Sequence, residues 1–358
     1  MDLVNSSATK FHSAEIKARA WLRQAHQSAK RKGFCHSRWM FLPEALAWTK
    51  PYAETSGYLI ENLLDNDSEN NWALGAAMDT GHWLAEIQSE EGYFHSGIEF
   101  RHASSFNTAQ ILLGFRAILQ KQPDDPIRTA MDRATNWLLS QIDQNGRWTR
   151  GLYSEGHFPA YYSRAIWPLL DLAVNDSRYP VLLKSLNLLW SCKKDLLYFE
   201  PCNFKPGQNS LSHTIAYALE GFWESAVILD RMDILESSLS MLEHSALEYL
   251  NRGRLWAEIS PSGQRIYSYR CLTGEAQFSA LMFKAYLKRS NTVFLESGIR
   301  LLEDLCSSQI VSRNPGLHGA FPASVPVYGS YFPFRCVNWT SKFFLDAIKL
   351  YHICVQTP

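Results

Sequence analysis

The 358-residue sequence predicts an all-α chain, an (α/α)6 toroid whose six helical hairpins form an inner and an outer ring within one domain over residues 1–358. Three observations predict it. An amphipathic stretch, a long loop rich in glycine and aromatics, and a second, more apolar stretch recur six times. The second stretches carry few charges, and a helix that is apolar on most faces is buried. The long loops always run from a first stretch to a second, whereas return connections such as 120–125 and 174–180 are short and polar. The loops should therefore gather at one mouth of the ring, where loops of that length tend to carry function.

The elements follow in order. In the first unit, Ile16, Ala20, Leu22 and Ala25 recur near helical spacing among charges over 11–31, and the inner stretch starts at Glu54. The second unit runs from Asn71 to Gln88 and resumes at Ser105. The third spans 127–142, just after the helix-start signal Asp124-Asp125-Pro126, and resumes at Tyr161. The outer stretches of units four to six begin at Val181, Met232 and Phe294, and their inner partners at Ser212, Leu272 and Asn338. Two loops open alike, with Gln88, Gly92 and Phe94 in one and Gln141, Gly146 and Trp148 in the other. Glycine ends a helix well because it accepts the left-handed conformation. The aromatic then folds back between helices, so a packing clasp is the simpler reading of the pattern.

Lys plus Arg equals Asp plus Glu at 35 each, with no basic stripe, which argues against a nucleic-acid partner. No apolar run reaches the roughly 18 residues a membrane helix needs. The N-terminal segment lacks the apolar core of a secretory signal, and seven cysteines without a CxxC pair read as reduced thiols. Both point to a cytoplasmic protein. Cys35-His36 is the one adjacent Cys–His pair, and Cys271 and Cys336 precede inner stretches. None has the spacing of a ligand set, so neither a metal nor another cofactor is expected.

The Gln–Gly–aromatic signature resembles the QW motif of squalene and hopene cyclases. The layout resembles the toroids of terpenoid cyclases, prenyltransferases, lanthionine cyclases, sugar epimerases, glycosidases and polysaccharide lyases. The segments 213–221, 272–277, 319–322, 331–334 and 338–344 resemble a toroid family of bacterial polysaccharide-biosynthesis clusters. That resemblance implies a carbohydrate substrate, although fold alone does not fix a reaction. The DxDD-type acid of the class II cyclases is missing from the inner-helix starts. The close acidic clusters, Asp65/Asp67 and Asp124/Asp125, lie in polar connections.

Candidate chemistry gathers where inner stretches begin. His213, Tyr217 and Glu220 share a helix face, and His213 with Tyr217 suits acid–base work. Glu258 and Glu275 are candidates for the paired carboxyls of glycoside hydrolysis, which stand roughly 5–10 Å apart. Arg164, Arg270 and Arg335 suit an anionic sugar, and Asn338 suits its hydroxyls. Phe106, Trp148, Tyr162, Tyr269 and Trp339 offer stacking faces. The first unit adds His36, Arg38, Trp39, Trp48, Tyr52 and Glu54. The expectation is a lyase or hydrolase acting on an acidic oligo- or polysaccharide. The alternatives are a terpenoid-cyclase-like or prenyltransferase-like enzyme, with a deep aromatic cavity and an acid at its base, and a non-catalytic glycan-binding protein.

Overall fold

The structure is a computed structural model that describes residues 2–65, 72–99, 101–194 and 198–356. The first hairpin is α1 (Asp2–Ser28) and, after the short α2 (Glu44–Ala47), α3 (Ala53–Leu64). It is followed by α4 (Trp72–Ile87) with α5 (Ser105–Lys121), and by α6 (Asp125–Ser140) with α7 (Ser163–Leu172). Next come α8 (Tyr179–Trp190) with α9 (Ser212–Leu229), and α10 (Met232–Arg252) with α11 (Leu272–Arg289). The last pair is α12 (Thr292–Ser308) and α13 (Asn338–Gln356). Each inner helix packs on the next, from α3 through α5, α7, α9 and α11 to α13, and α13 returns to α3, closing the ring. Asp67 and Asn71 lie outside the described residues.

Small residues let the inner helices approach. A Cβ on Gly114 of α5 would stand 2.2 Å from the Gly57 carbonyl oxygen of α3, so only glycine fits that crossing. The helix starts use ordinary capping. The Asp124 side chain accepts from the Ile127 amide at 3.0 Å, with proline in the first turn of α6, as the sequence signal predicts.

Short strands tie the long loops together at one mouth. Strand β1 (Ser37–Trp39) pairs with β9 (Arg335–Val337), joining the first unit to the sixth. Strands β2 (Phe94–His95) and β3 (Ala103–Ser104) pair within the second loop. Strand β4 (Ser210–Leu211) pairs with β5 (Glu258–Ile259), which also pairs with β6 (Arg265–Ile266). Strand β7 (Arg270–Cys271) pairs with β8 (Ser324–Val325), linking units five and six.

The glutamines of the loop openings reach across the outer ring. Gln88 Nε2 donates to the carbonyls of Gly92 and of Ala130 on α6, each at 2.8 Å. Gln309 does the same at the seam, donating to Ala14 of α1 at 2.9 Å and to Gly319 at 3.0 Å. In the third unit the indole makes the bridge, with Trp148 Nε1 donating to Ser185 of α8 at 3.1 Å. These clasps pin one outer helix to the next.

Candidate active site

A cavity of about 400 Å³ opens at the loop mouth, over the N-termini of the inner helices. Its walls are aromatic, formed by Tyr52, Tyr58, Phe106, Tyr161, Tyr162, Tyr217, Tyr331, Phe332 and Trp339. The polar lining includes His36, Glu54, Asn107 and His213. Among the described lining residues Glu54 is the one carboxylate, and neither lysine nor arginine is present.

Glu54 sits in the first turn of α3, where its backbone is fixed and its side chain is buried. Tyr52, extended just before the helix, donates its hydroxyl to Glu54 Oε2 at 2.6 Å. Asn107, in the first turn of α5, donates to the Tyr52 oxygen at 3.3 Å and to the His95 carbonyl at 3.0 Å, so the neighbouring hairpin holds Tyr52 in place. Burial pushes the Glu54 carboxyl up to about 7, against the smaller downward pulls of the Tyr52 hydroxyl and the Arg164 charge. A carboxyl with that property is an acid at neutral pH.

The two histidines are neutral there. Burial holds His213 down to about 4, and its Nδ1 donates to Gln277 Oε1 at 2.7 Å. Burial, helped by the charge of Arg335, holds His36 down to about 3. Its ring packs against Tyr52, Phe332 and Trp339 at 5.2, 5.5 and 4.8 Å.

Below the cavity, the Tyr58 and Tyr217 hydroxyls stand 3.3 Å apart. Beneath them the fully buried Arg164 guanidinium lies 4.7 Å from the Tyr217 ring centre and 5.3 Å from that of Tyr58. Its Nε donates to Glu220 Oε2 at 2.8 Å. Burial opposes ionisation of Glu220, but Arg164, Lys284 and Lys342 outweigh it and hold the carboxyl at about 2. A larger pocket of about 550 Å³ opens at the opposite mouth. There Lys284, Lys342 and Lys349 are each already paired, with Glu224, Asp346 and Asp65. The loop-mouth cavity, whose described lining holds Glu54 without a lysine or arginine, is the candidate site.

Of the residues singled out in the sequence, His36, Tyr52, Glu54, Phe106, Tyr162, His213, Tyr217 and Trp339 line this cavity. Arg164 lies under its floor rather than in it, because Glu220 on the next helix holds it there. Glu258 and Glu275 do not come together around the cavity, and neither lines it. Glu275 is buried and accepts from Arg270 Nη2 and Nε, at 2.5 and 2.8 Å, and burial pushes its carboxyl up in spite of that cation. Arg270 is thereby unavailable to a sugar carboxylate. Glu258 accepts hydrogen bonds from Asn209, Tyr269 and Ser330 at 2.7, 2.7 and 3.0 Å, fastening three loops just behind the cavity wall. Tyr269 serves that knot. Trp148 serves its clasp, and the buried Asn338 donates to the Cys35 carbonyl at 3.0 Å. Arg335 stands at the rim.

The sequence offers Glu54 among the first unit's candidates but points to Glu258 and Glu275 for the paired carboxyls. Glu54 shares with Glu275 a position in the first turn of an inner helix, and its one local mark is the tyrosine two residues before it. What separates them is packing: Glu275 is paired with Arg270 and Glu258 accepts three hydrogen bonds outside the cavity lining, whereas Glu54 lines the cavity with the Tyr52 hydroxyl as its donor. Among the described residues no group of three or more His, Cys, Asp and Glu side chains is placed to hold a metal ion.

Solved structures with this architecture cover nearly the whole chain. An unsaturated glucuronyl hydrolase specific for heparin superposes with a TM-score of 0.69 at 12% identity, over 97% of this chain and 98% of that one. The unsaturated glucuronyl hydrolase of Bacillus sp. GL1 gives 0.70 at 14% identity, over 94% and 96%. The cellobiose 2-epimerase of Bacillus thermoamylovorans gives 0.71 at 13% identity, over 96% and 99%. In sequence, the squalene–hopene cyclase of Zymomonas mobilis is 30% identical over 90 residues, 22% of this chain. The match spans only 13% of that curated relative's length. No protein-family model matches. The chain is an (α/α)6 toroid, with the fold of these glycosidases and epimerases.

Proposed function

We propose that this toroid is a carbohydrate-active enzyme that hydrolyses an acidic oligosaccharide with Glu54 as general acid. The observation that carries the reading is the Glu54 carboxyl, held at about 7 by burial and standing alone in an aromatic cavity. Aromatic walls stack on sugar rings, and Asn107 with the nearby serines Ser96 and Ser104 suits their hydroxyls. The inner-helix N-termini converge on the mouth and favour an anionic ligand there.

The lining also selects among reactions. A lyase needs a cation beside the uronate carboxylate, and no lysine or arginine lines the cavity. Hydrolysis by the two-carboxylate route needs a second carboxyl, which the lining also lacks. One acid suffices where the terminal uronate is unsaturated, because its C4=C5 bond is an enol ether. The Glu54 proton adds to C4, and the resulting oxocarbenium ion takes up water at C5, whose proton returns to the Glu54 carboxylate. The C5 hemiketal then opens. The anomeric acetal becomes a hemiacetal and expels the next sugar. Structural likeness to unsaturated glucuronyl hydrolases supports this substrate class.

The test is incubation with oligosaccharides ending in an unsaturated glucuronyl unit. The expected result is loss of the ultraviolet absorbance of the conjugated alkene together with release of a reducing sugar. Glu54→Gln should lower the rate by about 10²–10⁴-fold, the usual worth of a general acid. A wild-type protein inert toward a broad panel of acidic oligosaccharides would sink the reading.

A second reading rests on the same acid. An aromatic cavity without cations in its lining also suits a carbocation, and the local likeness to squalene–hopene cyclase lies in that direction. The Arg164 charge under the floor weighs against it, since it would oppose a developing cation. Turnover of a polyprenyl substrate, lost in Glu54→Gln, would move the assignment to this class.

A further inference from the structure

Arg335 is a cation without a paired anion among the described residues. It pairs through its backbone with Trp39 across β1 and β9, which lays its guanidinium over the Trp39 ring at 3.9 Å. The same guanidinium stands 5.7 Å from the ring of Phe332, a cavity-lining residue. Phe332 and Phe334 have φ of +49° and +59°, a left-handed conformation that costs a bulky residue energy and that the loop nevertheless keeps here. Among the described residues no carboxylate pairs with Arg335, and its buried Nε has no hydrogen-bond partner. Four other arginines of this side of the ring differ. Arg38 pairs with Glu44, Arg150 with Glu91, Arg164 with Glu220 and Arg270 with Glu275. A half-buried guanidinium stacked on an indole and left without a carboxylate is arranged to receive one from outside.

Its position says which part of a ligand it would meet. From Glu54 the contacts run through Tyr52, His36 and Phe332 before reaching Arg335, so three side chains separate the cation from the acid. Trp39 beside it adds an aromatic platform outside the cavity. We propose that Arg335 anchors an anionic group, a carboxylate or a sulfate, on the sugar next to the one held against Glu54. This rests on the reading of the cavity as a saccharide site. It makes the substrate an oligosaccharide charged beyond its reacting unit, with Arg335 as a specificity residue.

The experiment is done in two settings, so that failure of this inference is separable from failure of the catalytic reading. In the Glu54→Gln protein, which removes turnover, calorimetric affinity is measured for three disaccharides matched in size. One carries a carboxylate on the second sugar, one a sulfate there, and one is neutral. Charged ligands should bind more tightly than the neutral one. Adding Arg335→Gln should erase that preference by about 10–100-fold, the worth of a charge-assisted hydrogen bond, and Arg335→Lys should restore part of it. The carboxylate and sulfate arms identify which anion is read. In the active protein, Arg335→Gln should raise KM for the charged substrate with kcat little changed and leave the neutral one alone. Equal loss on charged and neutral ligands, or no preference before substitution, would overturn the proposal. Unchanged melting of Arg335→Gln guards against a folding effect, and the Lys variant serves if Gln does not fold.

Discussion

A carboxyl in the first turn of a helix is ordinarily favoured as an anion by the helix dipole. At Glu54 burial outweighs that effect, and a pH profile reads the balance. Activity that needs the protonated acid should be full on the acid side and fall about tenfold per pH unit above about 7. Stability should follow the same proton. The folded carboxyl binds it more tightly than the unfolded one, whose ordinary value is 4.5, so raising the pH from there to about 7 costs stability. Glu54→Gln removes that dependence, and its melting temperature should gain on the wild type across this window. Arg164 is legible in sequence only as an arginine near an inner-helix start. Packing makes it half of a buried pair with Glu220. Arg164→Met should therefore cost about 3–5 kcal/mol in urea unfolding by stranding the Glu220 charge, and adding Glu220→Leu should recover most of it. Near-neutral stability of the single variant would contradict this account.

The clasps belong to the scale of elements. Two of them are legible because their glutamine, glycine and aromatic keep nearly constant spacing. The third, from Gln309 to Gly319, escapes notice because a longer insertion separates its members, yet it makes the same contacts. Gly319 has φ +87°, and a Cβ there would lie 2.2 Å from the Lys17 carbonyl oxygen. Gly319→Ala should destabilise by about 1–3 kcal/mol in denaturant titration, from backbone strain and the clash at the seam of the ring. An equal effect of alanine at Gly207, where a Cβ meets nothing within 4 Å, would show that backbone conformation alone sets the cost.

At the scale of the whole molecule, the first and last units must meet. They do so through α13 on α3 and α1, α12 on α1, β1 on β9 and Gln309 on α1. The inner helices are covered on both sides, whereas the outer ones face water. Amide exchange should accordingly be slowest in α5, α9, α11 and α13 and fastest in the exposed turns of the mouth loops. An inner helix exchanging as fast as those turns would argue against a closed ring. The cavity exists only because the ring closes. Tyr52 and Glu54 from the first unit, Asn107 from the second, His213 from the fourth and Phe332 from the sixth share it.

Helix periodicity, glycine placement and loop length are local quantities, so the sequence by itself determined the six hairpins, the inner and outer rings and the mouth where the loops gather. It also named eight of the cavity's side chains. Which carboxyl is an acid was decided by tertiary structure alone. Glu54 and Glu275 both sit in the first turn of an inner helix, and Glu258 lies in a mouth loop. Packing gives Glu275 an arginine and Glu258 three donors, and leaves Glu54 desolvated with a tyrosine hydroxyl. A carboxyl's proton affinity depends on the charges and solvent around it, and those come from residues up to a whole chain length away.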